Sequence, residues 1–219
     1  MAAHAPAPHE IVDVHDVRIG AAQLPGQYVR VSGACGVTVF VHGSGSSHRS
    51  PRNRYVASVL QGCGQHTLLF DLLSDEEAAV RSNVFDIALL AGRLVQALAW
   101  LQTEQGARPL PVGLFGASTG AAAALRVAAL HPEAVSAVVS RGGRPDLAGA
   151  DLARVRAPTL LIVGGLDTAV IELNRAALLE LRCVKQLEVV PGATHLFEEP
   201  GTLKAVARLA GRWLSQRAG

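Results

Sequence analysis

The chain has 219 residues, 49% of them hydrophobic and 17% charged, with a formal net charge of +2. That composition supports one sizeable core, excludes the disordered class, and offers no basis for recognising nucleic acid or an acidic membrane. Cys35, Cys63 and Cys183 have neither C-x-x-C nor Cys/His ligand spacing, so neither a disulfide framework nor a metal site is expected, and each is read as a small core residue.

The opening MAAHAPAPHE lacks the basic start and apolar centre of a secretory signal and is read as a flexible tail over residues 1–9, followed by a single domain over 10–219. The longest apolar stretches, 87–101 and 121–130, are interrupted by Arg93 or too short to span a bilayer. A cytoplasmic protein without membrane contact is the expectation.

Residues 11–19 and 28–31 alternate around Pro25-Gly26 and predict two leading antiparallel strands at a sheet edge. Residues 37–41, VTVFV, form an all-apolar run of the kind covered by helices on both faces. A helix over 51–60 starts with a proline suited to its first turn, and 67–72 is the next buried strand. After an acidic segment at 75–77, Ile87, Leu90, Leu94, Leu98 and Leu101 fall on one helical face.

A strand is then expected from 111 up to a sharp turn at GASTG (116–120), with further strands near 134–140, 159–163 and 186–190. Helices are expected after the GASTG turn to about 130, over 170–181 and over 203–214, the last with Leu203, Val206, Leu209 or Ala210, and Trp213 inward. Between 140 and 159 there is room for one short helix. Alternation of this kind predicts an α/β fold with a mostly parallel sheet of about eight strands, helices on both faces and no lid domain.

In such sheets ligands bind at the carboxyl ends of the strands, and three chemically active side chains fall there. Ser118 sits in Gly116-x-Ser118-x-Gly120 between strand and helix, the nucleophile-elbow pattern, in which the turn is so tight that its neighbours must be nearly free of side chain. Asp167 follows the strand at 159–163, and His195 follows the strand at 186–190. In that order they suit nucleophile, orienting acid and general base. Asp71 and Asp146 are rival acids, but neither directly precedes the histidine's strand as Asp167 does.

The backbone amides of Ser44 and Thr119 are the candidate oxyanion donors, with Gly45 in place of Ser44 if the loop turns later. His42 is read as a buttress of that loop. Arg49 and Arg141 are candidate substrate-binding residues for a carboxylate or phosphate, whereas Arg52 and Arg54 are placed on the solvent face of the first helix.

The motifs HGSGSS, GASTG, GGLD and GATH, in this order from about residue 37 onward, resemble the α/β-hydrolase superfamily, and most of all its dienelactone-hydrolase-like branch. SSHRSPRN, LLFDLL, VVSRGGRPDL and ATHLFEEPG are similar to segments of small bacterial hydrolases that occur alone or attached to a phosphoribosyltransferase domain; no such second domain is read in this sequence. The resemblance implies a serine hydrolase without cofactor, acting on a small ester or lactone. The serine departs from the cysteine of the dienelactone hydrolases proper and from the aspartate of haloalkane dehalogenase relatives. Transfer of the acyl group to an alcohol or peroxide is the alternative chemistry. A partner-binding module with an auxiliary or vestigial site, perhaps serving a separate phosphoribosyltransferase, is the alternative class.

Overall fold

The computed structural model describes residues 9–105 and 109–217. Strands β1 (Ile11–Ile19), β2 (Leu24–Val31), β3 (Gly36–Val41), β4 (Gln65–Phe70), β5 (Val112–Ala117), β6 (Ala137–Arg141), β7 (Thr159–Gly164) and β8 (Lys185–Val190) form one eight-stranded sheet in the order β1-β2-β4-β3-β5-β6-β7-β8. β1 and β2 are antiparallel to each other and β2 is antiparallel to β4, while every pair from β4 through β8 is parallel. All residues of β3, β6 and β7 are buried, as their mostly apolar sequences require when helices cover both faces.

Those helices are α1 (Pro51–Gly62), α4 (Ile87–Gln105), α5 (Thr119–Leu130), α6 (Thr168–Glu180) and α7 (Thr202–Ser215), with the short α2 (Asp75–Ala79) and α3 (Arg81–Val84) between β4 and α4. Strand alternation divides the core in two. Val39, Leu114, Val138 and Leu161 face α4 and α5, while Phe40, Phe115, Val139 and Ile162 face α1 and α7. Ala121, Ala122, Ala123 and Ala124 are fully buried, so the alanine run at the start of α5 lets this central helix lie close against the sheet.

The chain moves from β3 to β4 on one side and then returns to place β5 on the other, so strand order reverses at β3 and β5. The crevice above that reversal is where open α/β sheets hold ligands. The loop after β3 and the turn after β5 both open into it.

Several expected boundaries move. Pro25 and Gly26 lie inside β2, paired with Arg18 and Val17, and the turn is made instead by Gly20 and Gln23, both with positive φ. Gly26 is small for another reason: a Cβ there would lie 2.7 Å from the Leu69 carbonyl oxygen. β6 begins at Ala137 rather than 134 because Ala134 closes a turn onto His131. The 140–159 connection holds a 3-10 segment, Pro145–Arg154, kinked at Gly149. Among the cysteines, all free, Cys35 is exposed and Cys63 half-buried, so the reading as core residues is corrected for these two, whereas the half-buried Cys183 packs against the core. The expected tail lies outside the described residues except for His9, whose Nδ1 is 2.7 Å from the Ser32 carbonyl oxygen.

At Gly120, an added methyl would overlap the carbonyl oxygens of Val41 and His42. Gly120→Ala is therefore expected to destabilise the fold by about 3 kcal/mol, read as a drop in the urea midpoint. Gly62→Ala, with open space around its Cα, serves as the control.

Candidate active site

Ser118 has φ 50 and ψ −123, a backbone conformation a side-chain-bearing residue adopts only when its surroundings impose it. Its amide donates to the Arg141 carbonyl at 3.4 Å, and its own carbonyl accepts from Ala121 at 3.1 Å and Arg144 at 3.0 Å. A Cβ on Gly116 would stand 2.5 Å from the Ala121 Cα, and one on Gly43 would stand 2.7 Å from the Ser118 Cβ. The small residues around the serine thus let β5 turn straight into α5 while the oxyanion-side loop presses against the turn.

His195 Nδ1 lies 2.6 Å from Asp167 Oδ2. Ionised Asp167 can only accept, so Nδ1 carries the proton and Nε2 keeps a free lone pair. The β7 and β8 loops are pinned together: Leu166 N–H donates to the Ala193 carbonyl, and a Cβ on Gly164 would lie 2.5 Å from the carbonyl oxygens of Ala193 and Thr194. Of the acids weighed above, Asp71 accepts from the His48 amide at 2.6 Å and Asp146 is gripped by both arms of Arg144. Asp167 alone meets the histidine.

No hydrogen bond joins Ser118 to His195 among the described residues, but Gly142 brings them to one place. Its preceding carbonyl receives the Ser118 amide, and a Cβ at Gly142 would lie 3.5 Å from His195 Cε1. The loop bearing His195 has support that the sequence did not signal: Glu199 accepts from the Thr194 amide at 3.1 Å and the Thr194 hydroxyl at 2.6 Å. Those bonds hold the Glu199 carboxyl below its ordinary range. Phe197, buried in the α1/α7 core, adopts φ 56 to close the same turn.

Ser44 and Thr119 both line a cavity of about 200 Å³ whose apolar wall includes Leu72, Leu73, Val84 and Leu90. Neither amide has an acceptor among the described backbone bonds; Thr119 N–H is one of the first-turn donors that a helix leaves unpaired. Part of the cavity is enclosed by the β4–α4 connection, with Ala78 of α2 and Val84 of α3 in its lining. Ser74 and Glu77 form a capping box there, which turns the expected acidic loop into a small roof.

His42 supports the oxyanion-side loop through both ring nitrogens. Nδ1–H donates to its neighbour's Gly43 carbonyl at 2.9 Å, and Nε2 accepts the Leu72 amide at 3.0 Å. Burial, above all, pushes His42 below the usual imidazole range, reinforced by the nearby His48.

The two candidate substrate-binding arginines part company. Arg49 is exposed and faces a separate cavity of about 300 Å³ beside Arg18 and Arg54, because the His48 amide bond to Asp71 and the Arg49 amide bond to Ser47 turn it away from Ser44. Arg141 is 9% exposed, with Nε and Nη1 lacking acceptors among the described residues. Burial first, then Arg52, brings its pKa down to about 10. Arg52 is also not simply on the solvent face: its Nη1 pairs with Glu198 at 2.8 Å, but its Nε is buried without a partner among the described residues. Among the described residues no group of three or more His, Cys, Asp or Glu side chains is placed to hold a metal ion, and no helix is long and apolar enough to cross a membrane.

An eight-stranded, mostly parallel sheet with a serine elbow after β5 and an acid and histidine after β7 and β8 defines an α/β hydrolase. Residues 67–214 match the dienelactone hydrolase family, and the chain belongs to that family. It is similar over 97% of its length to a dienelactone hydrolase from Anabaena variabilis, all of whose chain it covers, with 52% identity and a TM-score of 0.90. A dienelactone hydrolase-like promiscuous phosphotriesterase from metagenomic libraries shares the fold at 19% identity, with a TM-score of 0.75 over 97% of this chain and 100% of that one. A Mycobacterium tuberculosis H37Rv protein named as a putative phosphoribosyl transferase is 64% identical over 179 residues, 81% of this chain. The chain spans only 40% of that relative's length.

The His42 geometry predicts a pH dependence of stability. The unfolded imidazole takes up a proton near its ordinary 6.5, whereas the folded one resists protonation. The contribution is therefore complete above about pH 6.5 and is lost as pH falls from there toward the lower folded value. His66, also held down by burial and then by Arg30, acts in the same direction. Thermal melts are expected to show a wild-type loss between about pH 7.5 and 5.5 that shrinks, without vanishing, in His42→Asn; that variant should also be about 1–2 kcal/mol less stable at neutral pH.

Proposed function

We propose that this hydrolase cleaves small carboxylic esters or lactones through an acyl-enzyme on Ser118. The observation that carries the reading is the 2.6 Å bond from His195 to Asp167 beside a serine held on a strained turn. Asp167 fixes the tautomer that leaves Nε2 free, so His195 can accept the Ser118 proton as the hydroxyl attacks the ester carbonyl. Negative charge then develops on the carbonyl oxygen, where the amides of Ser44 and Thr119 supply donors that need no reorganisation.

Collapse of the tetrahedral species breaks the ester C–O bond, and the imidazolium returns the proton to the leaving oxygen. Water, deprotonated by the same nitrogen, attacks the acyl-enzyme, and the second collapse releases the acid and restores the serine. The apolar cavity of about 200 Å³ beside the two amides suits a short acyl or ring portion. We assign the phosphoribosyl transfer in the relatives' name to the part of those proteins outside the match, which is most of their length.

Intact-mass spectrometry after exposure to a fluorophosphonate tests the reading without choosing a substrate. One adduct on the wild type and none on Ser118→Ala is expected. On 4-nitrophenyl esters, Ser118→Ala and His195→Gln should each lower kcat by about a thousandfold or more with KM little changed. An unlabelled, folded wild type would overturn the proposal.

A further inference from the structure

Side chains of β6 alternate between the two halves of the core. Val138 faces α4 and α5, Val139 faces α1 and α7, and Ser140 turns back to the Val138 side, where it and Ala121 lie close to Gly143. Arg141 therefore extends to the α1 side. It arrives there 9% exposed, with no acceptor for Nε or Nη1 among the described residues. The charge that acts on it most is another cation, Arg52.

Arg52 is the second residue of α1. Its outer Nη1 is occupied by the exposed Glu198, and its buried Nε has no partner among the described residues. The twelve-residue α1 has no acidic side chain in its first turn, and the Arg52 amide is one of the donors a helix start leaves unpaired. Asn53, 3% exposed, also has an unpaired Oδ1; turning its amide over would present a further donor. Of the nearby carboxylates, Glu198 is on the outer arm of Arg52 and Glu199 is bound to Thr194.

A desolvated guanidinium without an acceptor is costly, and it persists where a ligand supplies one. Two cations close enough for one to act on the other meet near the positive end of a helix, and the exposed Glu198 takes only the outer arm of Arg52. A carboxylate has two oxygens and would be used up by the Arg141 fork alone. A tetrahedral dianion has a third oxygen for Arg52 Nε or its amide, and helix starts suit it.

The strand end that carries Arg141 adjoins Ser118, since the Arg141 carbonyl takes the Ser118 amide, and Glu198 follows His195 by three residues. The apolar cavity lies on the opposite side, where Leu72 and Leu90 belong to the α4/α5 half of the core. We propose that Arg141, Arg52 and the start of α1 form a phosphate-binding subsite, so that the substrate is a carboxylic ester or lactone bearing a phosphate monoester on the α1 side of the scissile bond. This rests on the hydrolase mechanism proposed above.

Isothermal titration calorimetry of the full chain with inorganic phosphate and with acetate, on wild type, Arg141→Gln and Arg52→Gln, tests it, with fluorophosphonate labelling of the wild type in parallel. Phosphate should bind the wild type, at least about tenfold more weakly to each variant, and acetate at least about tenfold more weakly than phosphate. Arg52 lies partly in solvent, so its variant keeps the test decisive if Arg141→Gln does not fold. Absence of phosphate binding to folded wild type, or undiminished binding in the variants, overturns the subsite and leaves a labelled serine standing. Acetate binding as tightly as phosphate overturns the phosphate assignment. Phosphate binding as expected on a chain whose Ser118 stays unlabelled supports the subsite and overturns the hydrolase mechanism instead.

Discussion

The arrangement depends on one backbone constraint, the turn at Ser118 with φ 50 and ψ −123. A conformation of this kind costs on the order of 1–3 kcal/mol, and it is held by contacts from three directions. β6 receives the serine amide, Arg144 and Ala121 both donate to its carbonyl, and the loop after β3 touches it through Gly43. Because the turn is fixed by neighbours that themselves carry or adjoin site residues, the elbow, the oxyanion-side loop and the end of β6 are placed together. Gly43 leads into Ser44, and Arg141 is both the partner of the serine amide and the buried cation of the α1 side.

Around this centre, hydrogen-bonded polar groups stiffen loops that hydrophobic burial alone would leave free. His42 ties the β3 loop to the start of the β4–α4 connection, and Asp71 ties it again through the His48 amide. Glu199 does the same for the segment bearing His195. These bonds position the candidate catalytic groups without touching the reacting atoms. The two sides of the sheet also differ, with Leu72 and Leu90 lining the cavity on the α4/α5 side and the Arg141 guanidinium, without acceptors among the described residues, on the α1 side, a difference that follows the alternation of β6.

Much of this was legible in the sequence because its signals are local. Apolar runs such as VTVFV give central strands directly, and a glycine on either side of Ser118 marks a tight turn whatever its surroundings. The order of Ser118, Asp167 and His195 placed all three at one sheet edge, and the His195–Asp167 bond agrees with that placement. The parts that were not legible depend on contacts between distant segments. Pro25-Gly26 has the letters of a turn, yet the glycine serves the close approach of Leu69. The opposite fates of Arg49 and Arg141 follow from loop bonds and strand alternation, not from their position after a motif. Glu199 and the inward edge of Arg52 gave no local pattern, since their meaning lies in Thr194 and Arg141.

The most direct measurement is peptide mapping by mass spectrometry after rapid acid quench of the wild type during turnover of 4-nitrophenyl acetate. The account predicts an acetyl group on the peptide containing Ser118, formed at least as fast as steady-state turnover. Turnover with no acetylated serine, or with the acetyl group on another side chain, would contradict it.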